Sequence, residues 1–141
     1  MIRALTIAIT IVGLPRLALA QAHRGAEPDW HELQMSPFER VAIDRASLQQ
    51  EGTFRRADLR WHMLSTAGRL ASYTVEDTEV GCARVQGRIH GRRRVQLTPH
   101  NGRRVDSAEV SAAESAWHSY GAGSVGRTAW QRMCEVPLPG A

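Results

Sequence analysis

The sequence predicts an α+β domain: a small antiparallel β-sheet meander with a C-terminal helix disulfide-linked to the sheet. Three observations predict it. Residues 55–63 alternate apolar and charged at period two, as a half-buried strand does. After Ser124, apolar residues recur at helical spacing. The chain has 2 Cys, one in that helical stretch (Cys134) and one after strand-like sequence (Cys82).

The elements follow in order. Met1-Ile2-Arg3 is a short positive run, Ala4 to Pro15 is almost wholly apolar, and Ala18 and Ala20 are small residues placed for a signal peptidase. Residues 1–20 are therefore expected to be a signal peptide cleaved after Ala20. The apolar run is shorter than the ~20 residues a span requires, and Arg16 interrupts it. No Cys follows it to carry a lipid, and no later stretch is apolar enough to span. The expected location is periplasmic or secreted. Residues 21–29 are polar, with Gly25 and Pro28, and read as a flexible N-terminal segment. Residues 30–137 read as one domain.

Trp30–Leu33 is a short first strand. Phe38–Asp44 follows, with Val41 and Ile43 on one face. In residues 55–63, Ala57, Leu59, Trp61 and Met63 face inward, and Arg56, Asp58, Arg60 and His62 face outward. Ala71, Tyr73 and Val75 repeat the inward pattern. Strand signals run on from Arg84 to Leu97, where Gly87 and Gly91 suggest bulges or kinks. Thr98–Gly102 is a turn, with Asn101-Gly102 supplying positive φ. Arg103–Val110 returns as the next strand. Residues 107–117 are ambiguous, with a composition that suits a helix. Ser124 can cap a final helix whose buried face is Val125, Ala129, Trp130, Met133 and Cys134, ended by Pro137.

Two cysteines in an exported chain invite one disulfide. They lack the C-x-x-C spacing of a zinc site, and a thiol nucleophile is the other competing reading. A Cys82–Cys134 bond would stabilise by about 4 kcal/mol through loop closure. It would tie the helix to the end of the third strand.

Composition excludes several chemistries. All 18 basic residues are Arg, so Schiff-base and P-loop lysine chemistry are ruled out. Loss of Arg3 and Arg16 with the leader leaves 16 Arg against 14 acids, so the +4 of the full chain becomes +2. Gly121–Gly126 (GAGSVG) matches G-x-G-x-x-G, but no parallel strand can follow in the 15 residues beyond Gly126. Nor does a His follow Ser124, as a nucleophile elbow requires. The loop is the lead-in to a capped helix. The six His (23, 31, 62, 90, 100, 118) show no ligand spacing, and Glu76-Asp77-x-Glu79 reads as a solvated strand end more readily than as a cation site. No metal site, cofactor or catalytic group is nominated.

Arg84, Arg88, Arg92, Arg93, Arg94, Arg103 and Arg104 fall in 21 residues that contain no acid. On a hairpin they would form a basic ribbon able to meet an envelope polyanion such as a sulfated glycan. Arg88, Arg92, Arg93, Arg94, Arg103 and Arg104 are the candidate binding residues. A solvated strand face is the plainer reading. No aromatic interleaves there, so nucleic-acid stacking is not expected.

The order of several short motifs resembles the bacterial surface-adhesin protein E family over residues 30–136. Those motifs are Ile43-Asp44 with Ser47-Leu48, a strand, then a strand ending in Gly81-Cys82. Next come Asn101-Gly102 before Arg103-Arg104-Val105, then Trp117, Gly123-Ser124, and a helix ending in Cys134. The resemblance implies the same small sheet, helix and Cys82–Cys134 bond. The family's adhesin is a dimeric surface lipoprotein that binds host matrix and serum proteins. This chain has no lipidation Cys, so fold and disulfide are carried over and host adhesion is not. The expectation is an exported, non-catalytic binding protein, with a polyanion-binding module on the Arg84–Arg104 hairpin as the alternative. Its partners would be an envelope or extracellular protein, a polyanionic glycan, or a second copy. Neither nucleic acid nor a membrane span is expected.

Overall fold

Seven strands form one antiparallel sheet in the computed structural model, which describes residues 27–63, 72–97 and 102–140. The expected signal peptide (1–20), most of the polar segment after it, Ala71 and the turn at Thr98–Asn101 lie outside the described residues. The strands are β1 (Trp30–Met35), β2 (Glu39–Asp44), β3 (Gln49–Glu51), β4 (Phe54–Met63), β5 (Ser72–Gly81), β6 (Gln86–Leu97) and β7 (Arg103–Ala108). Their spatial order is β1-β2-β4-β5-β6-β7, with β3 paired to the start of β4. Two short helices follow, α1 (Ala112–Ser115) and α2 (Val125–Met133).

β2 and β3 pair along the same strand, β4, and a 3₁₀ turn at Arg45–Ser47 separates them. The turn is locally satisfied. The Asp44 carboxylate accepts from the backbone N–H of Ala46 and Asp29, and the Ser47 hydroxyl accepts from Asp58 N–H.

α2 covers one face of the sheet. Trp130 and Met133 are fully buried there against Leu33, Ile43, Leu48, Ala57, Leu59 and Val80, and Val136 closes the cluster. The helix starts as expected: Ser124 Oγ accepts from Arg127 N–H, and Gly123 holds a φ of 77° just before it. The buried face is Gly126, Ala129, Trp130 and Met133, so Gly126 takes the place expected for Val125. Tyr120 causes this, because its ring lies where a Cβ on residue 126 would be.

Gly87 has a similar reason. A Cβ there would stand 2.8 Å from the Trp130 ring and 2.9 Å from the Glu79 carbonyl. The residue is what lets the largest core side chain reach the sheet. At Gly91 the expected irregularity is present, with the β5–β6 register shifting between Asp77 and Thr78.

The Cys82–Cys134 disulfide is formed, with Cα atoms 5.7 Å apart. It joins the end of α2 to the end of β5, the fifth strand and not the third. Cys82 opens the hairpin loop Cys82–Val85, whose last residue, Val85, has a φ of 51°. A β-branched side chain is strained in that region.

The phase of β5 differs from the expected one. Tyr73 and Val75 lie on the open face, while Glu76, Thr78 and Val80 face the helix side. The register shows why: Val75 stands directly between Arg60 and Arg93, and Leu59 is opposite Glu76. The arginine stems bury Val75 without a second layer. The ambiguous stretch resolves as the end of β7 followed by α1. Ser111 and Glu114 form a capping box on α1.

Candidate functional site

The arginine ribbon does not form one stripe, because alternate residues of a strand point to opposite faces. Arg88 and Arg93 lie on the open face. Arg88 pairs with Glu79 at 2.8 Å and Arg93 with Asp58 at 2.7 Å. Arg92 lies on the helix side, where it bridges Glu76 and Glu114. Arg104 pairs with Asp106. Arg94 and Arg103 have no carboxylate partner among the described residues, and Arg84 sits in the β5–β6 loop. Four arginines of a window without acids thus find acids elsewhere in the fold. The acidic cluster disperses in the same way: Glu76 faces the helix side, whereas Asp77 and Glu79 meet Arg56 and Arg88 on the open face.

The open face thus carries a lattice of ion pairs. Arg56 donates two bonds to Asp77. Glu79 accepts from Arg88 and lies 2.7 Å from His90 Nε2. Burial alone would push the Glu79 carboxyl up, but the bonds from Arg88 and His90 hold it below the usual carboxylate range. Trp117 folds over the end of this face, with Phe54 at 5.4 Å between centroids and the Arg88 guanidinium 4.9 Å from its ring.

Arg60 is the exception in the lattice. Its guanidinium lies 4.4 Å from the Trp30 ring and 5.7 Å from Tyr73, and no carboxylate pairs with it. It crosses the small side chain of Ala42, its partner in register, to reach β1. Its Nε and the adjacent His62 Nε2 are buried and have no hydrogen-bond partner. Burial lowers the Arg60 pKa. Burial lowers that of His62 too, assisted by Arg60 and Arg40, with Glu32 opposing.

On the helix side the polar cluster is tight. Burial pushes the Glu76 carboxyl up, and Arg92 opposes it. The Trp61 indole N–H is near enough to favour ionised Glu76 but does not reach hydrogen-bond geometry. Arg92 and the Ser111 cap hold Glu114 down at about 2. That hold on α1 is present above the ordinary carboxylate pKa and is lost as pH falls towards about 2. Burial, with Glu76 and Glu114 nearby, pushes the Tyr120 phenol up to about 12. Arg92 takes up both carboxylates of this cluster, so the grouping reads as a structural clamp. Among the described residues there is no group of three or more His, Cys, Asp or Glu able to hold a metal.

The two edges of the sheet are unlike. At β1, Arg132 of α2 donates to the Leu33 carbonyl at 2.8 Å, and the register is broken between Glu32 and Gln34. At β7 no described strand pairs with the outer edge. Val105 there is 55% exposed, and Leu97 beside it on β6 is 42% exposed. Sequence reading placed β7 as the last strand of the meander, and the sheet order ends with it. The only signal for it was that no strand-like sequence follows it.

Fold and site together define a small α+β domain stapled by one disulfide, with the outer edge of β7 unpaired among the described residues. Set against protein-family models, curated proteins and solved structures, the chain matches none. No helix of the described residues is long and apolar enough to cross a membrane. That and the disulfide are compatible with an extracellular or periplasmic location.

Proposed function

We propose that the chain is an exported, non-catalytic binding domain of the surface-adhesin protein E type. Its docking element is the β7 edge, and its ligand is an extended segment of an envelope or extracellular protein. The free edge with exposed Val105 and Leu97 carries this reading. The charge pattern of β7 specifies the partner: Arg103 has no carboxylate of its own, so a strand laid against it needs an acid opposite. The ribbon alternative is weakened, because Arg88, Arg92, Arg93 and Arg104 are already paired.

A photo-crosslinking residue at Ser107, introduced in the native host, tests the reading. One discrete protein adduct is expected, lost in Val105→Pro, which removes an edge N–H. An adduct insensitive to that change, or one formed equally from Gln50, overturns it. The intact mass of the isolated protein checks export independently. It should begin at Gln21 and be two hydrogens lighter than after reduction.

A further inference from the structure

Arg60, on β4 within the open-face lattice, has no carboxylate partner. All 14 acids of the chain lie within the described residues, and none pairs with Arg60. Only Glu32, across Ala42 in register, lies near enough to be felt. Arg40 stands directly opposite His62 on β2, so two guanidinium groups and one imidazole share this corner of the sheet. Two half-exposed aromatic rings bound it: Trp30 on β1 under the Arg60 guanidinium, and Tyr73 on β5, 5.3 Å from the His62 ring. Two buried nitrogens, Arg60 Nε and His62 Nε2, have no hydrogen-bond partner.

Such a corner has a specific chemical complement. An oxyanion supplies the missing negative charge, and a guanidinium is a fork-shaped donor suited to it. The flanking rings add an apolar wall, against which the C–H face of a sugar ring packs. A free anion would use only the first feature, and an apolar ligand only the second. We propose that Arg60, His62, Trp30 and Tyr73 form a binding site for an acidic sugar, one bearing a sulfate or carboxylate group. The site is distinct from the β7 edge: it is centred on β4, three strands from β7, and either can exist without the other.

The protein is titrated with a heparin-type sulfated hexasaccharide, the same hexasaccharide without sulfate, a uronate oligomer, inorganic sulfate, and an oligoglutamate peptide of equal charge. The readouts are calorimetry and the His62 Cε1–H resonance. The acidic oligosaccharides are expected to bind, to move that resonance and to raise the pH at which it titrates; the sulfated and uronate arms show which acid is preferred. Arg60→Gln should weaken binding about tenfold or more, as loss of a charged hydrogen-bonding group does. Arg94→Gln, remote on the other face, should change it less than about twofold. Arg60→Lys keeps the charge but not the stacked plane, and should lose binding while keeping the fold. Four results each overturn the proposal: no binding of any acidic sugar, binding that leaves the His62 resonance in place, equal weakening by Arg94→Gln, or tighter binding of the peptide than of the sugars.

Discussion

Arg92 and Arg93 are neighbours on β6, and they sit on opposite faces of the sheet. The Arg92 side chain is 19% exposed and meets Glu76, itself 9% exposed, beneath α1. Arg93 is 47% exposed and meets Asp58 on the open face. Both are ion pairs of nearly equal length. Removing one partner on the helix side strands a charge that water reaches poorly, whereas on the open face solvent replaces it. The covered face is held by contacts without substitutes. The open face is held by contacts with many.

The sharpest way to break the comparison is at the centre of the covered face. Trp130→Ala should cost about 4 kcal/mol, since the ring is fully buried and nothing nearby can refill its volume. A fall in the denaturant midpoint at unchanged slope is the expected reading. Next comes the matched pair. Arg92→Met should cost about 3 kcal/mol, and Arg93→Met less than about 1 kcal/mol. Equal losses in thermal melts would mean the two faces are not different in kind. Gly87→Ala tests the fit of Trp130 to the sheet, and about 2 kcal/mol is expected. The atoms in the way are a ring and a backbone carbonyl, neither of which can swing aside.

The smallest effect belongs to the open face and to pH. His62 titrates below its ordinary 6.5, so the unfolded chain takes up its proton first. Stability from this group is complete above pH 6.5 and is lost as pH falls through that value towards the folded pKa. Denaturant midpoints at pH 7.5 and 5.5 should therefore separate by less in His62→Gln than in the native protein.

Much of the architecture was legible in the sequence for local reasons. The β4 alternation, the Ser124 cap and the cysteine pair each announce themselves within a few residues. What was not legible depends on which strands become neighbours. The phase of β5 could not be read from Tyr73 and Val75 alone, because Val75 is covered by arginines 15 and 18 positions away in the chain. The ribbon looked bare because Asp58, Glu76 and Glu79 lie outside its window. Arg60 looked ordinary for the converse reason. Nothing within β4 shows that it would meet an aromatic ring and no carboxylate while Arg56 meets Asp77.

The bond from Arg132 to the Leu33 carbonyl has a consequence for stoichiometry. A sheet open at both ends can accept a further molecule at each, and growth then has no natural stop. Here one carbonyl of the β1 edge is taken by a side chain of the protein's own helix, which offers an incoming strand a guanidinium where it needs a free acceptor. Edge-to-edge addition is therefore favoured at β7 over β1. A complex made through the β7 edge alone should close at one partner however concentrated it becomes.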